Sequence, residues 1–505
     1  MRRHSRRRRI AIALALAAAG GLGTVTVLPA MAQEPEEDPV AWGDCAETVP
    51  GGERMECATI AVPLDYDEPD GRTIDVAVSR LASTNPEERR GVLLLNPGGP
   101  GGSGLGQPVE MADLGLPGGV TDAYDLIGMD PRGVGLSTPV SCGFTDEQGH
   151  RGNVPPYAAD DAEVAAQAEY ARTVAEQCAA NDTEGLMPHM TTANTARDMD
   201  AVRAALGEEE LSFYGASYGS VLGAAYASLF PDTSGQVVID SNVEGTALDY
   251  RAQRRWGTEF EPNFAYFAEW AAERDGAYGL GATPEAVEDT FFRLADQLAA
   301  EPVGEYDGAL FRFIVFVSLY GEDSFSGAAR LWQSLDAGDA PAADRILGEM
   351  DLPEPVGDAA AVSQYDNTWS AYLAVTCNDA DWPENLAVYQ ETAAADREAH
   401  PMFGGAGANV NPCAFWANDP LEPQVEITDE GPANVLIVQN ELDVATPLPG
   451  AEANREAFGD RSRLVTVEGF GHGVYVYGDN ACALNTTTAF LLTGELPEDD
   501  VHCEA

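Results

Sequence analysis

The sequence of 505 residues contains no lysine, so all 28 of its basic residues are arginine. Six of these arginines lie within the first nine positions, and 83 acidic residues give the chain a formal charge of −55. Nucleic acid is excluded as a partner, because no basic face is available to meet phosphate groups. A largely disordered or low-complexity chain is excluded as well, since hydrophobic residues make up 45% of the sequence and can bury a full-sized core.

The clustered arginines open a segment that is typical of an export signal. Residues 2–9 are basic, an apolar run follows to about residue 28, and Ala30-Met31-Ala32 then supplies the small residues that precede cleavage. We therefore expect a signal peptide over residues 1–32 and an acidic, disordered mature N-terminus over residues 33–44. The alternative is a membrane anchor, but Gly-Gly and Thr interrupt the apolar run. The mature protein is expected to be secreted and free of the membrane.

The eight cysteines agree with export, because disulfides form and persist in oxidising compartments. A zinc site is the alternative, but no two cysteines lie two to four residues apart, as zinc ligands usually do. The entropy of loop closure favours pairing in sequence order. The expected disulfides are Cys45–Cys57, Cys142–Cys178, Cys377–Cys413 and Cys482–Cys503.

Short apolar runs alternate with helical patterns through most of the chain. Buried strands are predicted at 91–95, 124–129, 211–214, 236–240, 434–438 and 463–467, with helices over 192–206 and 220–230. This alternation predicts an α/β fold with a mostly parallel, doubly wound sheet. Residues 245–375 are aromatic and helical instead, so we expect them to form an inserted cap (lid) between two core segments, 45–244 and 376–505.

A Gly-x-Ser-x-Gly pentapeptide, Gly215-Ala216-Ser217-Tyr218-Gly219, stands between a predicted strand and a predicted helix. This context is typical of a sharp turn that exposes a nucleophilic serine, and the flanking glycines permit its strained backbone. We predict that Ser217 is the nucleophile, the alternative being a simple glycine-rich turn.

A serine hydroxyl is a weak nucleophile until a base takes its proton. His472 lies in a glycine-flanked loop directly after a late core strand, and it is the predicted base. The other histidines of the mature chain, namely His150, His189, His400 and His502, are expected at the surface.

The base needs a carboxylate that holds its tautomer. Asp443 lies just past the predicted strand 434–438 and is assigned this role, with Glu441 as the local alternative. The resulting chain order of serine, aspartate and histidine is the order found in α/β-hydrolases.

An acyl-transfer intermediate also needs two preorganised N–H donors, which together form an oxyanion hole. The amide of Tyr218, directly after the nucleophile, is expected to supply one. The glycine-rich loop over residues 96–104 is expected to supply the other, with Gly99 as first choice and Gly98 as the alternative. A phosphate-binding loop fits poorly, because no Gly-Lys-Ser/Thr follows.

Together these motifs resemble the secreted tripeptidyl-aminopeptidase-like serine peptidases, relatives of proline iminopeptidases within the α/β-hydrolases. The resemblance is carried by residues 96–103, 130–137, 215–226, 377–379, 443–447 and 471–473 and by the pair Cys482 and Cys503. It implies a hydrolase core with a helical cap, no cofactor, no metal, and release of short peptides, tripeptides among them, from free N-termini. The chain departs from the family pattern at Ser220, at Asn440 and over residues 240–243, the last near the expected pocket.

We therefore expect an exported serine exopeptidase that forms an acyl-enzyme on Ser217 and takes a peptide or a small ester as substrate. A carboxylesterase or lipase with the same triad is the alternative. An aminopeptidase must bind an ammonium group, and a buried cation needs an anionic partner. Glu244 is the first candidate for this partner and Asp379 the second, although both are equally consistent with ordinary surface acids. The oligomeric state is left open.

Overall fold

The computed structural model describes residues 40–145, 148–150, 153–350 and 362–504. The expected signal peptide over residues 1–32 lies outside these ranges, as does most of the N-terminal segment predicted to be disordered. The last residues of that segment are ordered, since Gly43–Asp44 form strand β1 and pair with Cys57 and Glu56 of the next strand. The adjacent Cys45–Cys57 disulfide holds this pairing in place.

A sheet of ten strands runs through the described part of the chain. In chain order the strands are β1 (Gly43–Asp44), β2 (Glu56–Pro63), β3 (Thr73–Leu81), β4 (Gly91–Asn96), β5 (Tyr124–Met129), β6 (Leu211–Ala216), β7 (Ser234–Asp240), β8 (Val435–Leu442), β9 (Ser462–Phe470) and β10 (Val501–Cys503). Their order across the sheet is β1-β2-β3-β5-β4-β6-β7-β8-β9-β10. Strands β1, β2 and β3 pair antiparallel, as do β3 and β5, and all pairs from β5 to β10 are parallel.

Helices connect the strands and cover both faces of the sheet. They are α1 (Gln107–Asp113), α2 (Gly118–Ala123), α3 (Asp161–Asn181), α4 (Thr192–Ala205), α5 (Tyr218–Leu229), α6 (Tyr250–Thr258), α7 (Phe260–Ala272), α8 (Asp275–Tyr278), α9 (Pro284–Ala300), α10 (Gly308–Ser318), α11 (Phe325–Asp336), α12 (Ala340–Leu347), α13 (Gln364–Asp379), α14 (Leu386–Ala399), α15 (Gly404–Gly407), α16 (Leu448–Phe458) and α17 (Ala481–Thr493). The predicted α/β class with a mostly parallel sheet is confirmed.

The central strands explain why their sequences are continuous apolar runs. Every residue of β4, β5 and β6 is buried, because helices cover both faces of the sheet. Successive side chains of β4 enter opposite layers: Val92 and Leu94 pack in one hydrophobic cluster, and Leu93 and Leu95 in another.

Helices α6 to α12 lie between β7 and β8 in the chain and supply most of a second hydrophobic cluster, which Met402, Phe403 and Val444, among others, complete from other segments. The aromatic side chains at its centre include Phe260, Phe264, Phe291 and Trp332. The expected end of the cap at residue 375 falls inside α13, where Ala371 to Val375 already pack in the cluster against the sheet.

The eight cysteines form the four disulfides expected from sequence order. Cys482–Cys503 ties helix α17 to the last strand, β10. In the described ranges, no helix combines the length and the apolar character that crossing a membrane requires.

Candidate active site

Ser217 occupies the turn between strand β6 and helix α5. Its φ of 60° and ψ of −124° lie outside the regions that L-residues normally adopt. The turn packs closely on its surroundings, since a Cβ at Gly219 would lie 2.9 Å from the carbonyl oxygen of Asn96. A larger residue at that position would push the turn away from β4. The pentapeptide thus has the backbone geometry of a strained strand–turn–helix connection.

His472 and Asp443 are in direct contact at the carboxyl ends of β9 and β8. His472 Nδ1 lies 2.9 Å from Asp443 Oδ2 and 3.1 Å from Oδ1. Glu441, the alternative carboxylate, lies instead near His502, with 3.7 Å between Oε1 and Nδ1. The structure therefore brings Asp443, and not Glu441, to the imidazole.

The carboxylate of Asp443 is held firmly, with only 1% of the residue exposed. Its Oδ1 accepts the amides of Ala445 and Thr446, each at 2.9 Å. Its Oδ2 accepts the hydroxyl of Thr446 at 2.7 Å. These three donors fix the plane of the carboxylate against His472.

Opposing effects act on the pKa of His472. Burial lowers it, but the charge of Asp443, the hydrogen bond to that carboxylate and the more distant charge of Asp240 outweigh burial, so the pKa is raised. An imidazolium at this position is therefore stabilised, as a base that must hold a proton temporarily requires.

Ser217 lines a cavity to which both the core and the helical region contribute residues. Thr446 and Tyr320 line this cavity together with Ser217, and both contact the histidine: Thr446 Oγ1 is 3.2 Å from His472 Nδ1, and the Tyr320 ring centroid is 5.2 Å from that of the imidazole. The serine and the histidine are thus linked through shared neighbours. The remaining lining residues are Gly99, Asn153, Tyr218, Val243, Leu248, Trp256, Tyr372 and Ala445.

The two residues predicted to bind an oxyanion, Gly99 and Tyr218, both line this cavity beside Ser217. Tyr218 is the first residue of α5, where amide groups have no acceptor within the helix. The amide of Gly98, the alternative, donates to Asn96 Oδ1 at 3.0 Å. Because that hydrogen bond occupies the amide of Gly98, the amide of Gly99 is the better candidate for the second donor of the oxyanion hole.

The structure does not place the two predicted amine anchors in the cavity. Glu244 forms ion pairs with Arg251, at 2.7 Å, and with Arg255, both on helix α6. Asp379 is buried and accepts the amide and hydroxyl of Thr192 at 2.8 and 2.6 Å. Both carboxylates are therefore already satisfied within the protein. Among the described residues that line the cavity, none carries a carboxylate.

Asp379 instead supports the cavity wall from behind. Thr192 Oγ1, which donates to Asp379, lies 2.8 Å from the hydroxyl of Tyr218. Burial raises the pKa of Asp379 to about 7. This chain of polar groups joins α13, α4 and the first residue of α5, and it holds the ring of Tyr218 at the cavity.

The expectation that His150 lies at the surface is wrong. It is 2% exposed, its ring stacks on Phe144 with 4.6 Å between centroids, and its Nδ1 is 3.0 Å from the hydroxyl of Tyr170. Burial lowers the pKa of His150 to about 4, so the ring stays neutral. It is a core residue, well apart in the chain from the histidine loop.

The helical region contributes Tyr320 to the site, a residue that no sequence motif marks. Its carbonyl oxygen accepts the amide of His472 at 2.8 Å, and its ring stands at 63° to the imidazole. Trp256, on α6, likewise bonds a loop of the core, since its Nε1 donates to the carbonyl of Ala445 at 2.8 Å. Neither contact has a sequence signal, because each joins segments far apart in the chain.

Comparisons with known proteins agree with this geometry. A family model described as "alpha/beta hydrolase fold" matches residues 91–277, and one described as "TAP-like protein" matches residues 400–503. Tripeptidyl aminopeptidase of Streptomyces lividans is 37% identical over 471 residues, which are 92% of this chain and 86% of that protein.

Two proteins of Mycobacterium tuberculosis are also similar over most of their length. Serine protease Hip1 is 29% identical over 504 residues, covering 94% of this chain and 92% of that protein. Carboxylesterase B is 28% identical over 498 residues, with the same two coverages of 94% and 92%. The strained serine turn, the His–Asp contact and these similarities together show that the chain belongs to the tripeptidyl-aminopeptidase-like family of α/β-hydrolases.

Proposed function

We propose that this protein is an exported serine aminopeptidase that releases short peptides, in particular tripeptides, from free N-termini. The observation that carries the proposal is the contact of His472 with the buried carboxylate of Asp443. Thr446 and Tyr320, which contact the imidazole, line the cavity on which the strained turn of Ser217 lies. The 37% identity to a tripeptidyl aminopeptidase supports the choice of substrate.

In the proposed reaction, Ser217 Oγ attacks the scissile carbonyl while His472 takes its proton. The amides of Gly99 and Tyr218 bind the developing oxyanion. His472 then gives the proton to the leaving amine, which leaves an acyl-enzyme on Ser217. A water molecule, activated by the same imidazole, hydrolyses this ester. Asp443 keeps Nδ1 of His472 protonated, so that Nε2 is free to accept.

The cavity walls support an enzyme that acts on chain ends. Trp256 and Tyr320 come from the helical region, and Tyr218 and Val243 come from the core. A cavity closed on one side by a cap admits the end of a peptide more readily than the middle of a folded chain. We propose that helices α6 to α12, within the predicted segment 245–375, form this cap. It lies between a core segment over residues 45–244 and a second one that begins in α13 rather than at residue 376.

Export is part of the proposal and is supported by the four disulfides of the described structure. The N-terminal residues of the mature protein would test it directly. Recovery of the protein from culture medium with Gln33 as its first residue is the expected result. A protein retained in the cytoplasm with residues 1–32 intact would contradict it.

Carboxylesterase activity is the second candidate, favoured by the likeness to a carboxylesterase over 94% of the chain. The deciding experiment compares three substrates: a tripeptide anilide with a free amine, its N-acetyl twin and a small neutral ester. We expect the free amine to be preferred over the acetylated form by at least about tenfold, equivalent to about 1.4 kcal/mol. Equal rates on these two peptides, with faster turnover of the ester, would favour the esterase.

A further inference from the structure

Asp240, the last residue of β7, joins the serine turn to the histidine loop. Its carbonyl oxygen accepts the amide of Ser217 at 3.0 Å. Its carboxylate accepts the amides of Val474 and Tyr475 at 3.0 and 2.8 Å, directly beyond His472. The hydroxyl of Tyr214 donates to the same carboxylate at 2.9 Å. The residue is fully buried and is outside the proposed triad.

Ser241 extends this link by one residue. Its Oγ accepts the amide of Gly473 at 2.8 Å and donates to Asp240 Oδ1 at 3.1 Å. Its own amide donates to the carbonyl of Val438 in β8 at 3.0 Å. Three successive amides after His472 are therefore held by two successive side chains at the end of β7.

The backbone of Ser241 is strained in order to make these bonds. Its φ of 53° lies in the left-handed region, which is unfavourable for a non-glycine residue. Such strain persists where the surrounding structure over-determines it, and it concentrates at functional sites. A glycine would adopt the same backbone without strain, but it would lack the hydroxyl that holds Gly473.

We propose that Asp240 and Ser241 are positioning residues that fix the His472 loop against the Ser217 turn, so that the imidazole stays aligned with the serine hydroxyl. They act through His472 and touch no reacting atom. The inference rests on the proposed roles of Ser217 and His472. Its energetic basis is orientation, since a misplacement of about 1 Å between reacting groups can cost roughly 100-fold in rate.

The substitution Ser241→Gly separates positioning from a purely structural role. It removes the hydroxyl and relieves the backbone strain together. We expect the melting temperature to stay the same or to rise, while the rate at which a small fluorophosphonate labels Ser217 falls by about tenfold or more. A structural role alone would lower the melting temperature and leave the labelling rate unchanged.

Thr138 offers a matched control. It is also a non-glycine residue in the left-handed region, with a φ of 50°, and its Oγ1 likewise accepts an amide, that of Asp75 at 3.0 Å. Thr138→Gly therefore relieves strain and removes a similar hydrogen bond away from the cavity. Labelling of Ser217 in this variant is expected to proceed at the wild-type rate.

A second variant, Asp240→Asn, adds a readout from pH. The ionisable groups around His472 are Asp443, Asp240 and the phenol of Tyr320, and those around Asp240 are Tyr214, Tyr475, Tyr477 and His472. The charge of Asp240 contributes to the raised pKa of His472. Asp240→Asn removes this charge, so it should lower the pKa of His472 and move the acid limb of the pH–rate profile for labelling to lower pH. It should also slow the labelling reaction.

The outcomes are distinguishable. If wild-type protein is not labelled at Ser217, the proposed function fails, whatever the variants do. If the wild type is labelled and Ser241→Gly is labelled equally fast, the positioning role is overturned. Ser241→Gly decides the question alone if Asp240→Asn does not fold. A folded Asp240→Asn with the wild-type rate and the wild-type acid limb would also overturn it.

Discussion

The parallel half of the sheet and the helical region between β7 and β8 contribute to the same cavity in different ways. The sheet places Ser217, Asp443 and His472 at the carboxyl ends of β6, β8 and β9. The helical region adds Trp256 and Tyr320, whose aromatic rings line the cavity, and the carbonyl oxygen of Tyr320 accepts the amide of His472. In the proposed reaction the core supplies the chemistry, whereas the helical region selects what can enter.

Apart from loss of the nucleophile itself, the largest expected effect is at the carboxylate that the core places against the imidazole. Asp443→Asn should lower kcat by roughly 10³- to 10⁴-fold, because the imidazole loses the partner that holds its tautomer. The loss should be equal for a tripeptide anilide and a small ester, since the same step is used for both. Steady-state kinetics on the two substrates measure it.

Glu441→Gln is the matched control for that change. Glu441 lies two residues away and contacts His502 instead of His472. Its kcat should stay within about twofold of wild type, as removal of a surface ion pair has little effect. A greater loss in Glu441→Gln than in Asp443→Asn would show that the carboxylate has been assigned wrongly.

Trp256→Ala is expected to lower kcat/KM for the tripeptide anilide more than for the small ester. Truncating the indole removes part of the cavity wall and the bond to the carbonyl of Ala445. We expect kcat/KM for the tripeptide to fall by about tenfold, whereas the small ester, which needs less of the wall, should change by less than about threefold. Trp270→Ala, on α7 and away from the cavity lining, is the control. Equal losses of kcat/KM on both substrates would show that the helical region does not select the substrate separately from the chemistry of the core.

The pH profile gives a smaller effect with a definite sign. His472 must be neutral to act as a base, and its pKa is raised above the ordinary value of 6.5. Activity should therefore fall as the pH drops through a limb that lies above 6.5. The same shift adds stability that is present below pH 6.5 and is lost as the pH rises through the raised pKa. An acid limb below 6.5 in the kcat/KM profile would contradict this account.

Glu244→Gln should have the smallest effect. Because Arg251 and Arg255 already neutralise the carboxylate, we expect KM for a free-amine peptide to change by less than about twofold. The free energy of unfolding should fall by no more than about 1 kcal/mol, since one of the two arginines is largely exposed. A selective rise in KM for the free-amine peptide, with the ester unaffected, would restore Glu244 as an amine anchor.

The sequence indicates the long strands β4 to β9 well, whereas it does not indicate the antiparallel strands β1 to β3 or the short parallel strand β10. Strands buried on both faces, such as β4 and β5, are continuous apolar runs that stand out from their surroundings. Strand β2 lies toward the sheet edge with most of its residues partly or fully exposed, and it carries no motif. It was therefore not predicted, although it pairs with β3 along its whole length.

The site shows the same limit at the level of single residues. The serine, aspartate and histidine follow strand ends, so local sequence suffices to propose them. The link from Asp240 to Val474 and Tyr475 spans more than 230 positions, and no local pattern reports it. The partners of Glu244 are only seven and eleven residues away, but their contact depends on the path of the chain between Glu244 and α6, which no sequence pattern reports.

The measurement that tests the central claim most directly is labelling of the intact protein with a fluorophosphonate, followed by peptide mapping. The account predicts one labelled residue, Ser217, with complete loss of peptidase activity in proportion to the label. It also predicts that a folded Ser217→Ala variant takes up no label and cleaves no tripeptide anilide. Near-normal cleavage by that variant, or label on another serine, would contradict the assignment of this cavity as the active site.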